Sequence, residues 1–181
     1  MERYQISSDG AVYYVTFALV QWLPLFVREE SCKIITDSLR YCIQNKGLLV
    51  GGYVIMPTHM HAVLADRDMN SERLIMTIDD FRKFTGRGLA DYCDRSGPSA
   101  FKLALRDEAT ADRNRRVWQP SKHPEIVYSE KFLTTKVTYL HNNPVRAGLV
   151  RAAEHWRFSS AAYYCSGGNG EFDVPITVLW W

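Results

Sequence analysis

Along the chain, apolar and β-branched runs alternate with segments in which apolar residues return every three or four positions. Ala11 to Val20 (AVYYVTFALV) is rich in β-branched and aromatic residues and predicts a first, largely buried strand. Leu23-Pro24-Leu25-Phe26 breaks it. From Ser31 onward, Cys32, Ile34, Ile35, Leu39, Cys42 and Ile43 fall at helical spacing and Lys46-Gly47 closes the pattern, which predicts an amphipathic helix. Leu48 to Met56 predicts a second strand, with Gly51-Gly52 marking a bend or the close approach of another backbone. His59 to Asp66 predicts a third, paired with the second as a hairpin across Pro57-Thr58. Asn70-Ser71-Glu72 opens a second helix that carries Leu74, Ile75, Ile78, Phe81 and Phe84 on one side. Its expected end is Gly86, with a continuation to Tyr92 as the alternative.

The second half is harder to read. Gly97-Pro98-Ser99 predicts a turn followed by a polar loop or short helix, and Val117-Trp118-Gln119-Pro120 a short strand before a loop at Lys122-His123-Pro124. Ser129 and Glu130 start a helix through Phe132, Leu133, Lys136, Val137, Tyr139 and Leu140. Its expected end is about Asn143, because a proline at 144 disfavours helical geometry in the residue before it. Val145 to Arg151 is a connector, Trp156 to Tyr164 a further packed segment, and Gly167 to Gly170 a loop. The order strand, helix, strand, strand, helix implies an α+β class with a ferredoxin-like core: an antiparallel sheet with helices packed on one face. One domain is expected over 1–181, with its core over 11–164 and a C-terminal tail over 165–181.

Composition narrows the partners only slightly. With 46% hydrophobic and 23% charged residues the chain is a globular protein, not a disordered one. A net charge of +2 does not identify a nucleic-acid partner, but its distribution is uneven. From Phe81 to Lys122 there are ten Lys or Arg against five acids, whereas the first sixty residues balance five against five. Four scattered cysteines, Cys32, Cys42, Cys93 and Cys165, form no Cys-x-x-Cys pair, which argues against a zinc ribbon or a redox motif. Free thiols in a reducing cytoplasm are expected. The absence of a signal segment and of any apolar run of about 18 residues makes a cytoplasmic location, without a membrane, the expectation.

The candidate chemistry centres on His59 and His61. Side chains alternate along a strand, so both imidazoles project to one side and can share one metal ion. Tyr139 and Asn143 are four apart, which places phenol and amide on one helical face. Together these residues offer two nitrogen ligands, an amide oxygen and a tyrosine nucleophile. A phenol with a pKa near 10 holds little phenolate at neutral pH, so a nearby cation would help. Each residue also has a plainer reading: a polar strand face for the histidines, a core position for Tyr139, a helix stop for Asn143. His141, two positions from Tyr139, reads as structural or solvent-facing, and His123 and His155 have no spacing to support a role.

Three stretches in this order resemble a known family. Met56-Pro57-Thr58-His59-Met60-His61, Trp118-Gln119-Pro120, and Tyr139-Leu140-His141-Asn142-Asn143-Pro144-Val145-Arg146-Ala147-Gly148-Leu149-Val150 resemble the HUH single-tyrosine transposases. Within that family they resemble the REP-associated tyrosine transposases of bacteria, and Trp156-Arg157-Phe158-Ser159-Ser160 is similar too. The resemblance runs from about Tyr13 to Tyr164. It implies a ferredoxin-like core, a divalent metal (Mg2+ or Mn2+), and cleavage and rejoining of single-stranded or hairpin-flanking DNA through a 5′ phosphotyrosine. On it, His59 and His61 match metal ligands, Tyr139 the nucleophile and, more weakly, Asn143 a third ligand. Thr58 departs from the family, many of whose members have Asn there, and 97–114 cannot be aligned.

DNA contacts are expected from the basic segment, through Arg82, Lys83, Arg113, Arg115 and Arg116, with Trp118 stacking on bases and Arg146 touching the backbone. The expected partner is single-stranded or hairpin DNA, bound by a monomer or homodimer that associates with the nucleoid. Three other readings stay open: an HUH replication initiator or relaxase, a domesticated nucleic-acid binder without turnover, and a small metallohydrolase. The Asn-Pro-Val-Arg-Ala-Gly run after the tyrosine resembles the transposase branch more than the initiators.

Overall fold

A computed structural model describes residues 12–109, 114–120 and 124–179; Ala11, Arg113, Lys122 and His123 lie outside the described residues. The elements are β1 (Val12–Ala18), α1 (Glu29–Lys46), β2 (Leu48–Met56), β3 (His59–Asp66), α2 (Ser71–Ser96), α3 (Ser99–Asp107), β4 (Glu125–Ile126), α4 (Glu130–Arg146) and α5 (Ala161–Cys165). The strands form one antiparallel sheet in the order β2-β3-β1-β4. Among the described residues no helix is long and apolar enough to cross a membrane.

The α+β class and the antiparallel sheet are as expected, and α1 and α2 form the expected helical layer. Tyr13, Val15 and Phe17 of β1, Tyr53 and Ile55 of β2, and Met60, Ala62 and Leu64 of β3 pack with Ile35, Leu39, Leu74, Ile78 and Phe81 of those helices. The other sheet face is covered as well, which extends the one-faced arrangement expected from sequence. Val12, Tyr14, Val54, Met56, Val63 and Ala65 meet Leu133 and Leu140 of α4. The physical reason lies in the strands themselves. β2 and β3 are buried along nearly their whole length, and a strand covered on both sides is a continuous apolar run rather than an alternating one.

Two helices outrun their expected ends. α2 continues through Gly86 and Gly88 to Ser96 because Leu89, Ala90 and Cys93 carry its apolar face onward. The glycines let neighbours come close: a Cβ at Gly86 would lie 3.4 Å from the Trp118 ring, and one at Gly88 would lie 3.2 Å from Ile34. Packing at those positions outweighs the roughly 1 kcal/mol that an interior glycine costs a helix. α4 runs through Pro144 to Arg146. Proline removes one donor, yet the final turn closes through Ala147 N–H to Asn143 O (3.0 Å) and Leu149 N–H to Pro144 O (2.9 Å).

The outer edge of β2 is covered by the C-terminal part of the chain. Ile55 N–H donates to Phe158 O (2.8 Å), Ser160 N–H to Tyr53 O (2.9 Å) and Thr177 N–H to Val50 O (2.9 Å). Between the last two contacts β2 bulges at Val50–Gly52, where a Cβ on Gly51 would meet Leu179 Cδ1 at 2.7 Å. Val174 is fully buried and Ile176 packs against the core, so packing extends beyond the boundary expected at residue 164.

The same edge anchors α4. His141 is buried, its Nε2 2.7 Å from Ser160 Oγ, which in turn accepts from Tyr53 N–H (2.9 Å). Its role is therefore structural. Burial lowers its pKa to about 4, so the folded protein holds it neutral where the unfolded chain, near 6.5, begins to bind a proton. Its contribution is fully present above pH 6.5 and is lost as pH falls towards about 4. In metal-free protein, unfolding free energies of His141→Phe and the parent, compared by denaturant titration, should converge over that window by ~1.4 kcal/mol per pH unit. A pH-independent difference would mean that His141 is not held neutral.

Candidate active site

Register places the chemistry. Across β1 and β3, Ala18 pairs with His59 and Thr16 with His61, so both histidines leave the sheet on the face covered by α4. The two-residue turn between β2 and β3 is held from outside: Leu19 N–H donates to Thr58 O (3.0 Å) and Phe26 N–H to Pro57 O (3.1 Å). The imidazoles stand edge to face with centroids 4.8 Å apart. His61 is only 7% exposed, and its Nδ1 lies 2.7 Å from Thr16 Oγ1; His59 Nδ1 lies 3.0 Å from Thr58 Oγ1. With each Nδ1 engaged by a hydroxyl, Nε2 is left as the ligand atom. Burial lowers both pKa values, that of His61 to about 3 with help from His59 and Lys136. Both rings are neutral at pH 7, the form that binds a metal.

Tyr139 reaches the same place from α4. It is 41% exposed, edge-on to His61 with centroids 6.0 Å apart and to Tyr14 at 6.5 Å. Because α4 continues for two further turns, Tyr139 sits on a continuous helix rather than near a terminus as its sequence suggested. The Arg146 guanidinium carbon lies 4.6 Å from the Tyr139 ring centroid. Tyr14 stacks on His61 at 5.4 Å with an interplanar angle of 22°. Lys136, one turn before Tyr139, lies 4.6 Å over the Tyr14 ring while donating to both Glu125 oxygens (2.8 and 2.7 Å).

One turn beyond Tyr139 on α4, the side-chain nitrogen of Asn143 is buried without a partner among the described residues. Such an atom calls for a water, an ion or a ligand as its partner. An amide can present its oxygen in place of its nitrogen by a half-turn, the form in which Asn143 would ligate an ion. Among the described residues no three His, Cys, Asp or Glu side chains gather around a common point, so an ion held by these histidines would need an amide, water or phosphate oxygen as further ligands. Two imidazoles with oxygen donors suit Mn2+ and admit Mg2+.

Most of the expected DNA contacts lie elsewhere. Trp118 is buried between Phe17 and Phe26, its Nε1–H donating to Thr85 Oγ1 (3.1 Å), so its ring is not available to a base. The Arg82 guanidinium donates to Gln119 O and covers the Phe17 ring at 5.5 Å. Arg115 pairs with Asp91 (2.9 Å) and with Asp94, tying the segment after α3 to α2. These three hold the fold together. Lys83 is exposed and Arg116 half-buried, and Arg113 is outside the described residues. Arg82 and Lys83 belong to α2, which packs on the sheet face opposite the histidines.

Thr16, Tyr14, Lys136 and Trp22 belong to the site and carry no motif that singles them out in the sequence. Lys136, three before Tyr139, has a readable spacing; Thr16 and Tyr14 become visible only once β1 is registered against β3. Trp22 stands edge-on to His59, with centroids 5.9 Å apart. It and Gln21 both have positive φ, 53° and 49°, a conformation that costs a non-glycine residue on the order of 1–3 kcal/mol.

No protein-family model matches the chain, and no curated protein matches it. Among solved structures it is similar to the REP-associated tyrosine transposase bound to a REP hairpin, at 18% identity over 100% of this chain and 95% of that one, with a TM-score of 0.62. The chain therefore shares that protein's fold. A protein from Deinococcus radiodurans R1 proposed to be a transposase is 20% identical over 78% of this chain and 97% of that one. Its TM-score is 0.44.

A shared ion at the histidines has a direct readout. Calorimetric titration of Mn2+ into chelator-treated protein should show one site that His59→Ala or His61→Ala removes. Thr16→Val should weaken it roughly 10- to 100-fold by freeing Nδ1 of His61. Equal affinity in all three variants would rule out a site built on these rings.

Proposed function

We propose that the chain is a DNA strand transferase, a single-tyrosine transposase of the REP-associated kind, acting on single-stranded or hairpin-flanking DNA. One observation carries this reading. The His59–His61 pair and Tyr139, remote from it in sequence, meet on one sheet face with both imidazoles neutral and their Nε2 atoms without a partner among the described residues. The fold shared with the transposase bound to a REP hairpin supports it.

A divalent cation, Mg2+ or Mn2+, held by His59, His61 and Asn143 would supply positive charge at the scissile phosphate. Tyr139 is the nucleophile: its phenolic oxygen gives up its proton to water and bonds to phosphorus as the bond to the 3′ oxygen breaks, and the leaving oxygen takes up a proton from water, so that no net proton is gained or lost. The 5′ phosphate stays on Tyr139. Because a phosphodiester is exchanged for a phosphodiester, attack by another 3′ hydroxyl reverses the step and joins DNA without a nucleotide cofactor. α4 holds the phenol beside His61 before DNA arrives, which removes orientational freedom that the reaction would otherwise have to overcome. Arg146, exposed beside the Tyr139 ring, places a cation where phosphate charge gathers.

Incubating the protein with single-stranded and hairpin oligonucleotides and Mn2+ should give a covalent adduct on a denaturing gel, mapped by mass spectrometry to Tyr139. Tyr139→Phe should keep its melting temperature and form none. His59→Ala and His61→Ala should bind DNA and leave it uncut, since affinity is spread over many phosphate contacts. A nucleotide on another residue, or full yield from Tyr139→Phe, would overturn the assignment.

The basic residues separate by salt dependence. Removing Arg146, Lys83 or Arg116 should each reduce the slope of log affinity against log salt by roughly 0.7 wherever that side chain touches a phosphate of a single strand. Arg82→Ala and Arg115→Ala should lower the denaturation midpoint and leave the slope alone. A reduced slope from either of those two would return them to the DNA surface.

A further inference from the structure

Beside the histidines stands an exposed aromatic ring that the packing of the fold does not use. Trp22 is 56% exposed, whereas its sequence neighbour Val20 is buried, as is Trp118, whose ring fills the core on the far side of β1. Its backbone is held in a conformation that non-glycine residues avoid, as is that of Gln21. The segment is fixed in place: Leu19 N–H donates to Thr58 O (3.0 Å), Val20 N–H to Val117 O (2.8 Å), Trp22 N–H to Leu19 O (3.1 Å) and Leu23 N–H to Val20 O (3.1 Å). The ring itself meets His59 edge-on, with centroids 5.9 Å apart and an interplanar angle of 82°.

Strained residues cluster at functional sites when surrounding hydrogen bonds hold them, as they hold Trp22, and a large exposed aromatic ring contributes little to folding. The ligand has to be contiguous with whatever binds at His59. A nucleotide joins a planar π face to a phosphate within a single unit, and indole is a strong stacking partner for any base. We infer that Trp22 is a stacking platform for one unpaired base of the DNA strand whose scissile phosphate is held at His59 and His61. This deepens the strand-transferase reading and rests on it. It also supplies the base contact that the buried Trp118 cannot make. Stacking is tolerant of base identity, so Trp22 selects for an unpaired nucleotide rather than for a sequence.

The test separates stacking from turnover and from folding. Full-length Tyr139→Phe protein in chelator-treated buffer is titrated by fluorescence polarisation against a DNA hairpin with a labelled single-stranded 5′ extension. A second set of the same oligonucleotides carries one abasic nucleotide, moved stepwise along the extension. One abasic position should weaken binding roughly 5- to 150-fold. Adding Trp22→Gly should weaken binding of the intact oligonucleotide by a similar factor and make that abasic position cost nothing more. Trp22→Phe should recover part of the affinity.

Glycine adopts positive φ freely, so the melting temperature of Trp22→Gly should equal or exceed that of the parent, which excludes misfolding as the cause. Equal affinity in Trp22→Gly, losses that multiply independently, or no binding of any of these DNAs by the unaltered ring would overturn the inference. If abasic coupling is present but no adduct forms on Tyr139 in otherwise unaltered protein, the stacking site stands and the strand-transferase reading falls. If the adduct forms but the coupling is absent, strand transfer stands and the stacking site falls.

Discussion

The site depends on the antiparallel register between β1 and β3. With Ala18 opposite His59 and Thr16 opposite His61, both imidazoles face α4 and each Nδ1 lies beside a hydroxyl. A slip of one residue would turn the histidines into the layer of Phe17, Met60 and Ala62 and send apolar side chains the other way. The register is guarded at its open end. Leu19 and Phe26, on either side of the Trp22 segment, both donate to carbonyls of the turn at Pro57-Thr58. The chain leaving β1 thus holds the hairpin that presents the histidines, and the position of Trp22 and the placing of the two imidazoles share one set of hydrogen bonds.

α4 is the second fixed part, and its unusual end follows from what it must span. Leu133 and Leu140 bury against the sheet while His141 reaches Ser160 at the β2 edge, so the helix is anchored on two sides around Tyr139. Ending it at Asn143 would detach Arg146 from the Tyr139 ring. Pro144 is tolerated because its carbonyl still accepts from Leu149 and its ring is buried, leaving a single missing donor in the last turn. The result is a phenol on a rigid helix facing two imidazoles on a rigid sheet, an arrangement that holds the three groups in a fixed relation to one another.

Much of this was legible in local pattern. Leu48–Met56 and His59–Asp66 are the strands that the apolar runs predict, and Gly47 caps α1 with a φ of 70° as its place after Lys46 suggests. What pattern could not show is tertiary. The helix past Gly86 exists because Trp118 and Ile34 pack into the space that two glycines leave open. Arg82, Arg115 and Trp118 read as a basic and aromatic DNA surface, yet the first two pair with Gln119 and with Asp91 and Asp94, and the third with Thr85. Charge density along a sequence cannot distinguish an arginine that meets phosphate from one that meets a carboxylate two elements away. The histidine pair was legible because a spacing of two has one geometric meaning in a strand; its partners Thr16 and Tyr14 lie on a different strand and have no such spacing.

This face carries features that run against stability. Two consecutive residues hold positive φ, the Asn143 amide nitrogen is buried without a partner among the described residues, and two imidazoles are kept neutral in contact. On the opposite face, α1, α2 and the sheet bury a continuous apolar layer, and the arginines at its margin are paired. A folding criterion alone would replace Trp22 by glycine and His61 by an apolar residue, since each change removes a strained or desolvated polar group. That combination around the histidines suits a charged, hydrogen-bonding ligand. On the strand-transferase proposal, the exposed ring of Trp22, the free Asn143 amide and the neutral histidines would have one common use, with phosphate, cation and base meeting at this face.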